Sequence, residues 1–289
     1  MLPSAPMSAM PRLATAVFAC ALLTACTVPH VPDPAGDRPV VVQGAMDVEI
    51  RKLAGAIEHP IQESVGGFTF WRGTVDGYPV VISKTQKGME NAAAATALAA
   101  ERYRPIAIIN QGTAGGHLPA LHVLDIVLGT ESVNAGSFKT GFRKGGEGSL
   151  VTDWSPLDLL RTEGSAGQDP RARTMRRFAG DAKLLDAARS VRGRYARGHI
   201  VEGVIASSDT WNSELVRIKD LHDRFGTTAE EMEAAAVAQI AGMFQIPFLG
   251  IRVVSNNITN GEPYDPKVGE ACQDFVYEVV KAYIGKVKR

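Results

Sequence analysis

The chain has 289 residues, 31 Lys+Arg against 31 Asp+Glu, 21% charged and 45% hydrophobic residues. Zero net charge leaves no electrostatic footprint for nucleic acid, and the apolar fraction suits a folded α/β core and excludes a disordered chain. Three Cys cannot staple a disulfide-dense scaffold, and the six His show no metal-ligand spacing with them, so no structural zinc site is expected; the absence of an electrostatic footprint points to a small-molecule ligand.

Arg12 is the only charged residue before Asp33, and Leu13 to Ala25 is an apolar run too short to cross a bilayer, as in a secretory signal peptide of residues 1–25. Its end, Leu23-Thr24-Ala25-Cys26, resembles a bacterial lipobox, in which the Cys is lipidated and becomes the mature N-terminus. Cys26 would then anchor an exported lipoprotein on the periplasmic side, at the outer membrane. The alternatives are an ordinary signal peptide cleaved nearby, or a start at Met10. Residues 26–38, rich in Pro, Asp and Gly, read as a tether, and 39–289 as one domain without internal repeats. Cys20 falls in the signal, which leaves Cys272 as a buried small hydrophobe.

Within the domain, Val40 to Gln43 reads as a strand, Gly44 as a turn and Asp47 to Ala56 as a helix. Phe68 to Gly73 and Tyr78 to Ser83 flank an Asp76-Gly77 turn, a hairpin signal. Met89 to Tyr103 is an Ala-rich helix stopped before Pro105, Ile106 to Asn110 a buried strand running into a Gly-rich turn at Gly112 to Gly116, and Val123 to Leu128 a further strand. Ser137 to Pro170, dense in Gly, Ser, Asp and Pro, reads as a long excursion that could serve as a lid or subunit contact, with Phe138 or Phe142 at its tip. Helices are expected at Leu184 to Tyr195, Glu230 to Met243 and Ala271 to Val287, and strands at Ile200 to Ala206 and Phe248 to Val254. This alternation predicts a three-layer α/β/α sandwich around a mixed, largely parallel sheet. Ligands of such sheets sit beyond the carboxyl ends of strands, where Gly44 to Glu49, Gly112 to Gly116, Ser207 to Trp211 and Arg252 to Asn256 all fall, with Glu231 to Ala234 at a helix N-terminus.

The five motifs GAMDVE (44–49), INQGTAGG (109–116), SSDTW (207–211), EEMEAAA (230–236) and IRVVSN (251–256) resemble, in wording and order, the nucleoside phosphorylase superfamily. Within it they are most similar to the hydrolytic branch, the 5'-methylthioadenosine/S-adenosylhomocysteine nucleosidases. The resemblance implies a nucleoside phosphorylase-like fold and hydrolysis of a purine N-glycosidic bond through a ribosyl oxocarbenium-like transition state. On that resemblance Glu49 orients and deprotonates the attacking water, and Glu233 accepts from the 2' and 3' hydroxyls of ribose. Arg252 helps organise the water and the Thr113 loop. Thr113, which replaces the usual Ser, binds water or sugar together with Ala114 and Gly115, and Met232 packs on the sugar beside Glu231. Trp211, for the usual Phe, stacks on the purine, and the Asn212 backbone meets its Watson–Crick edge. Asn256 departs from the family's Asp, which gives a proton to purine N7; an amide gives only a hydrogen bond, which opens a 6-oxopurine alternative of futalosine or inosine type. Asn257 could share that role if the loop is shifted. Met46 and Asn110 stand where phosphorylases place phosphate-binding Arg residues, which disfavours phosphorolysis. Lys87 is read as facing solvent. No metal or organic cofactor is needed, since two carboxylates, a hydroxyl and an activated water suffice for the attack. A nucleoside-binding lipoprotein without turnover is the non-enzymatic alternative, and the resemblance also implies a homodimer.

Overall fold

The computed structural model describes residues 38–160 and 174–288, and the segment from Asp37 to Arg289 forms one compact unit. The signal peptide, Cys26, most of the tether and the last ten residues, 161–170, of the Ser137 to Pro170 excursion lie outside the described residues.

In chain order the elements are β1 (Val40–Gly44), α1 (Asp47–Ala56), β2 (Glu58–Val65), β3 (Phe68–Val75), β4 (Tyr78–Lys84), α2 (Met89–Tyr103), β5 (Ala107–Gly116) and β6 (Ile126–Asn134). Four short strands follow, β7 (Phe138–Lys139) pairing with β8 (Ser155–Pro156) and β9 (Leu159–Leu160) with β10 (Thr174–Met175). The chain continues through β11 (Arg177–Ala179), α3 (Ala182–Ser190), β12 (Ile200–Ser207), α4 (Leu215–Phe225), β13 (Thr227–Glu231), α5 (Ala234–Met243), β14 (Phe248–Asn256) and α6 (Gly269–Val287). The main sheet runs β11-β6-β12-β13-β5-β1-β4-β3-β2. β14 pairs in parallel with β5 and antiparallel with β6, so β5, β14, β6, β12 and β13 close into a ring.

The layers follow from alternation. In β1, Val40 and Val42 face one apolar cluster and Val41 the other. The first is covered by Ile50 and Leu53 of α1, Leu184 and Ala187 of α3, and the long apolar face of α6, including Cys272, whose thiol burial pushes up to about 12. On the opposite side Ala92 and Ala99 of α2 meet Ala234, Ala235 and Ala238 of α5, small side chains that let two helices and the sheet approach closely. This is the expected three-layer sandwich. It is mixed: parallel pairings hold β1 to β4 and β5, and β12 to β6 and β13, whereas the β2-β3-β4 hairpins and the β13–β5 pair are antiparallel.

Two expectations are corrected, and one helix is added. Gly112 to Gly116 is not a turn: β5 continues through it, and none of Gly112, Gly115 and Gly116 has positive φ. Thr227 to Glu231 is strand β13, so the helix expected from Glu230 starts at Ala234. The stretch between Trp211 and Glu230 contains α4, whose Glu214 caps the Arg217 N–H at 2.7 Å and whose C-cap Gly226 is left-handed at φ 70°.

Candidate functional site

Five strand ends converge on one cleft of about 310 Å3, at the carboxyl ends of β1, β5, β12, β13 and β14. Its walls include Glu49, Thr113, Ala114, Gly115, Trp211, Asn212, Glu231, Met232, Glu233 and Asn256, so all the predicted substrate-binding residues and two of the three catalytic ones come together. Arg252 lies immediately beneath.

Glu49 is the third residue of α1 and is 3% exposed. Its Oε2 accepts from the Ala45 and Met46 N–H groups, both at 3.1 Å, and its Oε1 from the Thr113 N–H at 2.8 Å and the Thr113 hydroxyl at 2.9 Å. A carboxylate has about four lone-pair sites, and here all four are occupied. Three donors are backbone groups fixed by β1, α1 and β5; only the Thr113 hydroxyl can rotate. The Thr113 hydroxyl is therefore the one donor that can yield its place on Glu49 to a donor entering from the cleft. Gly112 makes this approach possible, since a Cβ there would lie 2.9 Å from Glu49 Oε1 and 3.0 Å from its Cδ.

Glu231, Glu233 and Arg252 form the second layer. Arg252 is wholly buried; it donates to the Asn110 carbonyl at 2.8 Å, to the Ile251 carbonyl at 3.0 Å, to the Asn110 side chain and to the Glu231 carboxylate. Burial works against its charge, but Glu231, Glu233 and Glu49 outweigh this and raise its pKa. Glu231 also accepts from the Ser207 hydroxyl and from the N–H groups of Glu233, at 3.0 Å, and Ala234, at 2.9 Å, while the Ala235 N–H donates to Ser207 Oγ at 2.8 Å. The EEMEAAA and SSDTW motifs thus cap α5 jointly. Glu231 borders the cleft, but its oxygens are committed to Arg252, Ser207 and the helix.

Glu233 is left with less. Its Oε1 accepts from the Gly88 N–H at 3.0 Å, and Oε2 is 3.9 Å from the Arg252 guanidinium, whose charge is already spent on Glu231. Burial first and the neighbouring Glu231 second push its carboxyl up to about 8, against the pull of Arg252. A buried carboxyl with one oxygen facing the cleft is placed to accept from hydroxyl groups when it is ionised.

At the other end, Trp211 is 67% exposed and meets the Tyr264 ring edge-on, with centroids 5.1 Å apart at 86°. Tyr264 was not foreseen in the sequence; it follows β14 on a loop that carries no pattern of its own. Asn256 Oδ1 accepts from the Ser255 hydroxyl at 3.1 Å, which leaves Nδ2 to donate into the cleft. Asn257 does not share this position: it is fully buried and turned away, donating to the carbonyls of Leu118 and Leu121 at 2.8 and 2.7 Å. Lys87 is exposed at the rim and is the one cation among the described lining residues. Asn110, at the place of a phosphorylase Arg, is buried under Arg252. Phe138 stacks under Arg217 at 4.8 Å and Phe142 is 99% exposed; neither lines the cleft. Among the described residues no cluster of His, Cys, Asp and Glu could hold a metal ion, and no helix is long and apolar enough to cross a membrane.

Comparison with known proteins gives a consistent picture. The family model described as the phosphorylase superfamily matches residues 39–285. The chain is 34% identical over 223 residues to a 5'-methylthioadenosine/S-adenosylhomocysteine nucleosidase of Shewanella pealeana, covering 77% of this chain and 87% of the relative. Among solved structures it is similar to the corresponding nucleosidase of Neisseria meningitidis in complex with methylthio-immucillin-A, with TM-score 0.67, 28% identity and coverage of 85% of this chain and 99% of that one. The fold is shared with futalosine hydrolase of Helicobacter pylori, at TM-score 0.68, 19% identity and coverage of 84% and 97%.

Proposed function

We infer the function from the premise that the chain belongs to the phosphorylase superfamily: it is an N-glycosyl hydrolase of purine nucleosides, acting on 5'-methylthioadenosine and S-adenosylhomocysteine. The observation that carries this reading is the pair of buried carboxyl groups, Glu49 and Glu233, opening on one cleft whose far end holds Trp211, Tyr264 and Asn256. Glu233 takes the ribose diol. Glu49 and the Thr113 hydroxyl hold a water against C1', and Glu49 takes its proton as the C1'–N9 bond breaks and the C1'–O bond forms. The negative charge of Glu49 also favours the oxocarbenium character of the transition state. Asn256 Nδ2 donates to N7 of the departing base without giving up a proton, so the base is protonated from solvent. Water is the acceptor in preference to phosphate because Lys87, at the rim, is the cleft's one lining cation among the described residues.

The test is incubation of the purified protein with 5'-methylthioadenosine, S-adenosylhomocysteine and inosine, with and without phosphate, following free base and sugar by chromatography. Adenine with free thioribose in both buffers is the expected result; a sugar 1-phosphate would overturn hydrolysis, and hypoxanthine alone would favour the 6-oxopurine reading raised by Asn256. Glu49→Gln should abolish release while the substrate still binds, and unaffected turnover would remove Glu49 from the mechanism.

The lipobox-like sequence at Cys26 supports anchoring of the exported protein to the membrane, with scavenging of external nucleosides as its use. Cys26→Ser should release the protein from the membrane fraction. Exposure of Trp211, Leu215 and Val216 beside the cleft, at 67%, 54% and 62%, supports a homodimer, to be measured by sedimentation.

A further inference from the structure

Glu230 has no role carried over from the family motifs, yet its side chain lines the cleft and is only 10% exposed. Strand register explains its placement. Glu230 of β13 is the cross-strand partner of Gly115 of β5, and on the other side of Gly115 the bulge after Val254 brings Asn256 of β14 opposite the same residue. Residues opposite one another on neighbouring strands project to one face of the sheet. Glu230 and Asn256 therefore stand on either side of a floor that Gly115, lacking a side chain, leaves flat.

The Glu230 carboxylate is held from behind. The Asn212 amide donates to Oε2 at 3.3 Å, and His117 Nε2 lies 3.1 Å from the same oxygen, off the line of a hydrogen bond. The His117 ring is 1% exposed and is fixed by contact of Nδ1 with the Thr227 hydroxyl at 2.7 Å. Glu230 Oε1 has no partner among the described residues. A largely buried carboxylate with one oxygen secured and the other open to the cleft calls for a donor from the ligand once the ligand shuts out water, since an unmet acceptor there is then costly. The Asn256 amide, whose carbonyl is occupied by Ser255, supplies the complementary donor across the floor.

We propose that Glu230 is a specificity-determining residue that accepts an N–H from the six-membered ring of the bound purine, with His117 as its positioning residue, while Asn256 donates to N7. This rests on the reading of the substrate as a purine riboside. For adenine the donor is the exocyclic N6–H, and for a 6-oxopurine it is N1–H; a purine with neither leaves Glu230 unmet.

The probe is 5'-methylthioadenosine against its analogue lacking the 6-amino group. A hydrogen bond to a charged acceptor sets a preference of roughly 10- to 100-fold in kcat/KM. The double variant Glu230→Leu/His117→Leu, which removes both partners together, should collapse that preference to within about threefold, mainly by raising KM for the adenine substrate. Turnover of the analogue reports that the variant is folded. Glu230→Gln, which keeps the shape, should lower the preference several-fold and serves if the double variant does not fold. His117→Leu alone should also lower it with Glu230 intact. An undiminished preference in the Glu230 variants, or equal losses on both substrates, overturns the proposal. If the unaltered protein cleaves 5'-methylthioadenosine and the preference ignores Glu230, this inference alone falls; if it cleaves neither substrate nor inosine, the purine riboside reading falls and takes this one with it.

Discussion

The raised pKa of Glu233 makes substrate binding a proton-linked event. In the free protein burial first, and then the neighbouring Glu231, push the carboxyl up to about 8, while Arg252 is engaged by Glu231. To accept from both ribose hydroxyls it must be ionised, because a protonated carboxyl offers one donor and fewer acceptors. At pH 7 the proton is held by most molecules, so binding should release a large part of a proton per ligand, and affinity should improve as pH rises through neutrality and level off once the carboxyl is ionised. Calorimetry of 5'-methylthioadenosine binding to Glu49→Gln, in two buffers of different ionisation enthalpy, reads the proton directly without turnover. Loss of the Glu49 charge lowers the Glu233 pKa, since Glu49 is one of the groups raising it, so somewhat less release is expected there. Adding Glu233→Gln should remove the release altogether. The same shift has a stability consequence. Between the unfolded value of 4.5 and about 8 the fold keeps a proton that the unfolded chain has lost, so the contribution of this group to stability is present below about pH 4.5 and declines as pH rises through 8. Proton-neutral binding with affinity flat between about pH 6 and 8 would refute the argument.

Gly112→Ala should lower kcat by about 100-fold or more with little change in melting temperature, since its Cβ would displace the Glu49 carboxylate rather than the core; steady-state kinetics with thermal melting checks this. Thr113→Val removes the one rotatable donor on Glu49 and should cost about tenfold in kcat, whereas Thr113→Ser should retain activity; equal losses in both would exclude the hydroxyl exchange. Asn256→Asp should raise adenine release if proton supply to N7 limits the rate, and no change in kcat would show that protonation comes from elsewhere. Arg252→Leu should destabilise the fold by roughly 3–5 kcal/mol in denaturant melts, because it strands Glu231 without its partner in the interior.

The elements most legible in the sequence are those whose pattern is set by burial on known faces. Asp47 to Ala56 and Met89 to Tyr103 form helices with the expected bounds, and the all-Val start of β1 reads as a strand covered on both faces. β2 escaped notice because EHPIQESV is almost wholly exposed and bulged, so it lacks alternation. β13 escaped because TTAEE joins a strong helix and its acidic residues mimic a first helical turn. The same cause hid the geometry: the neighbours Glu230, Glu231 and Glu233 are alike in sequence, and only the sheet register and the start of α5 send the first to the cleft floor opposite Asn256, the second to a buried ion pair and the third to the Gly88 side of the cleft. Tyr264 and His117 lie in segments without periodicity, and nothing in spacing alone ties either to the cleft.

The site uses one guanidinium among four carboxyl groups, and the allocation explains how it can work. Arg252 is consumed by Glu231, which fixes the N-terminus of α5 and the register of β14 against β5. Glu49 is satisfied by three backbone N–H groups and a hydroxyl, so it keeps its place without a cation and can lend its charge to the reaction. Glu230 has Asn212 and His117 on one oxygen only. Glu233, with a single backbone donor and a distant Arg252, holds a proton until a diol replaces it. On the proposed reading, binding a ribose would therefore add a negative charge to the cleft just before C1' becomes positive, so that a neutral nucleoside would itself create the field that stabilises its transition state.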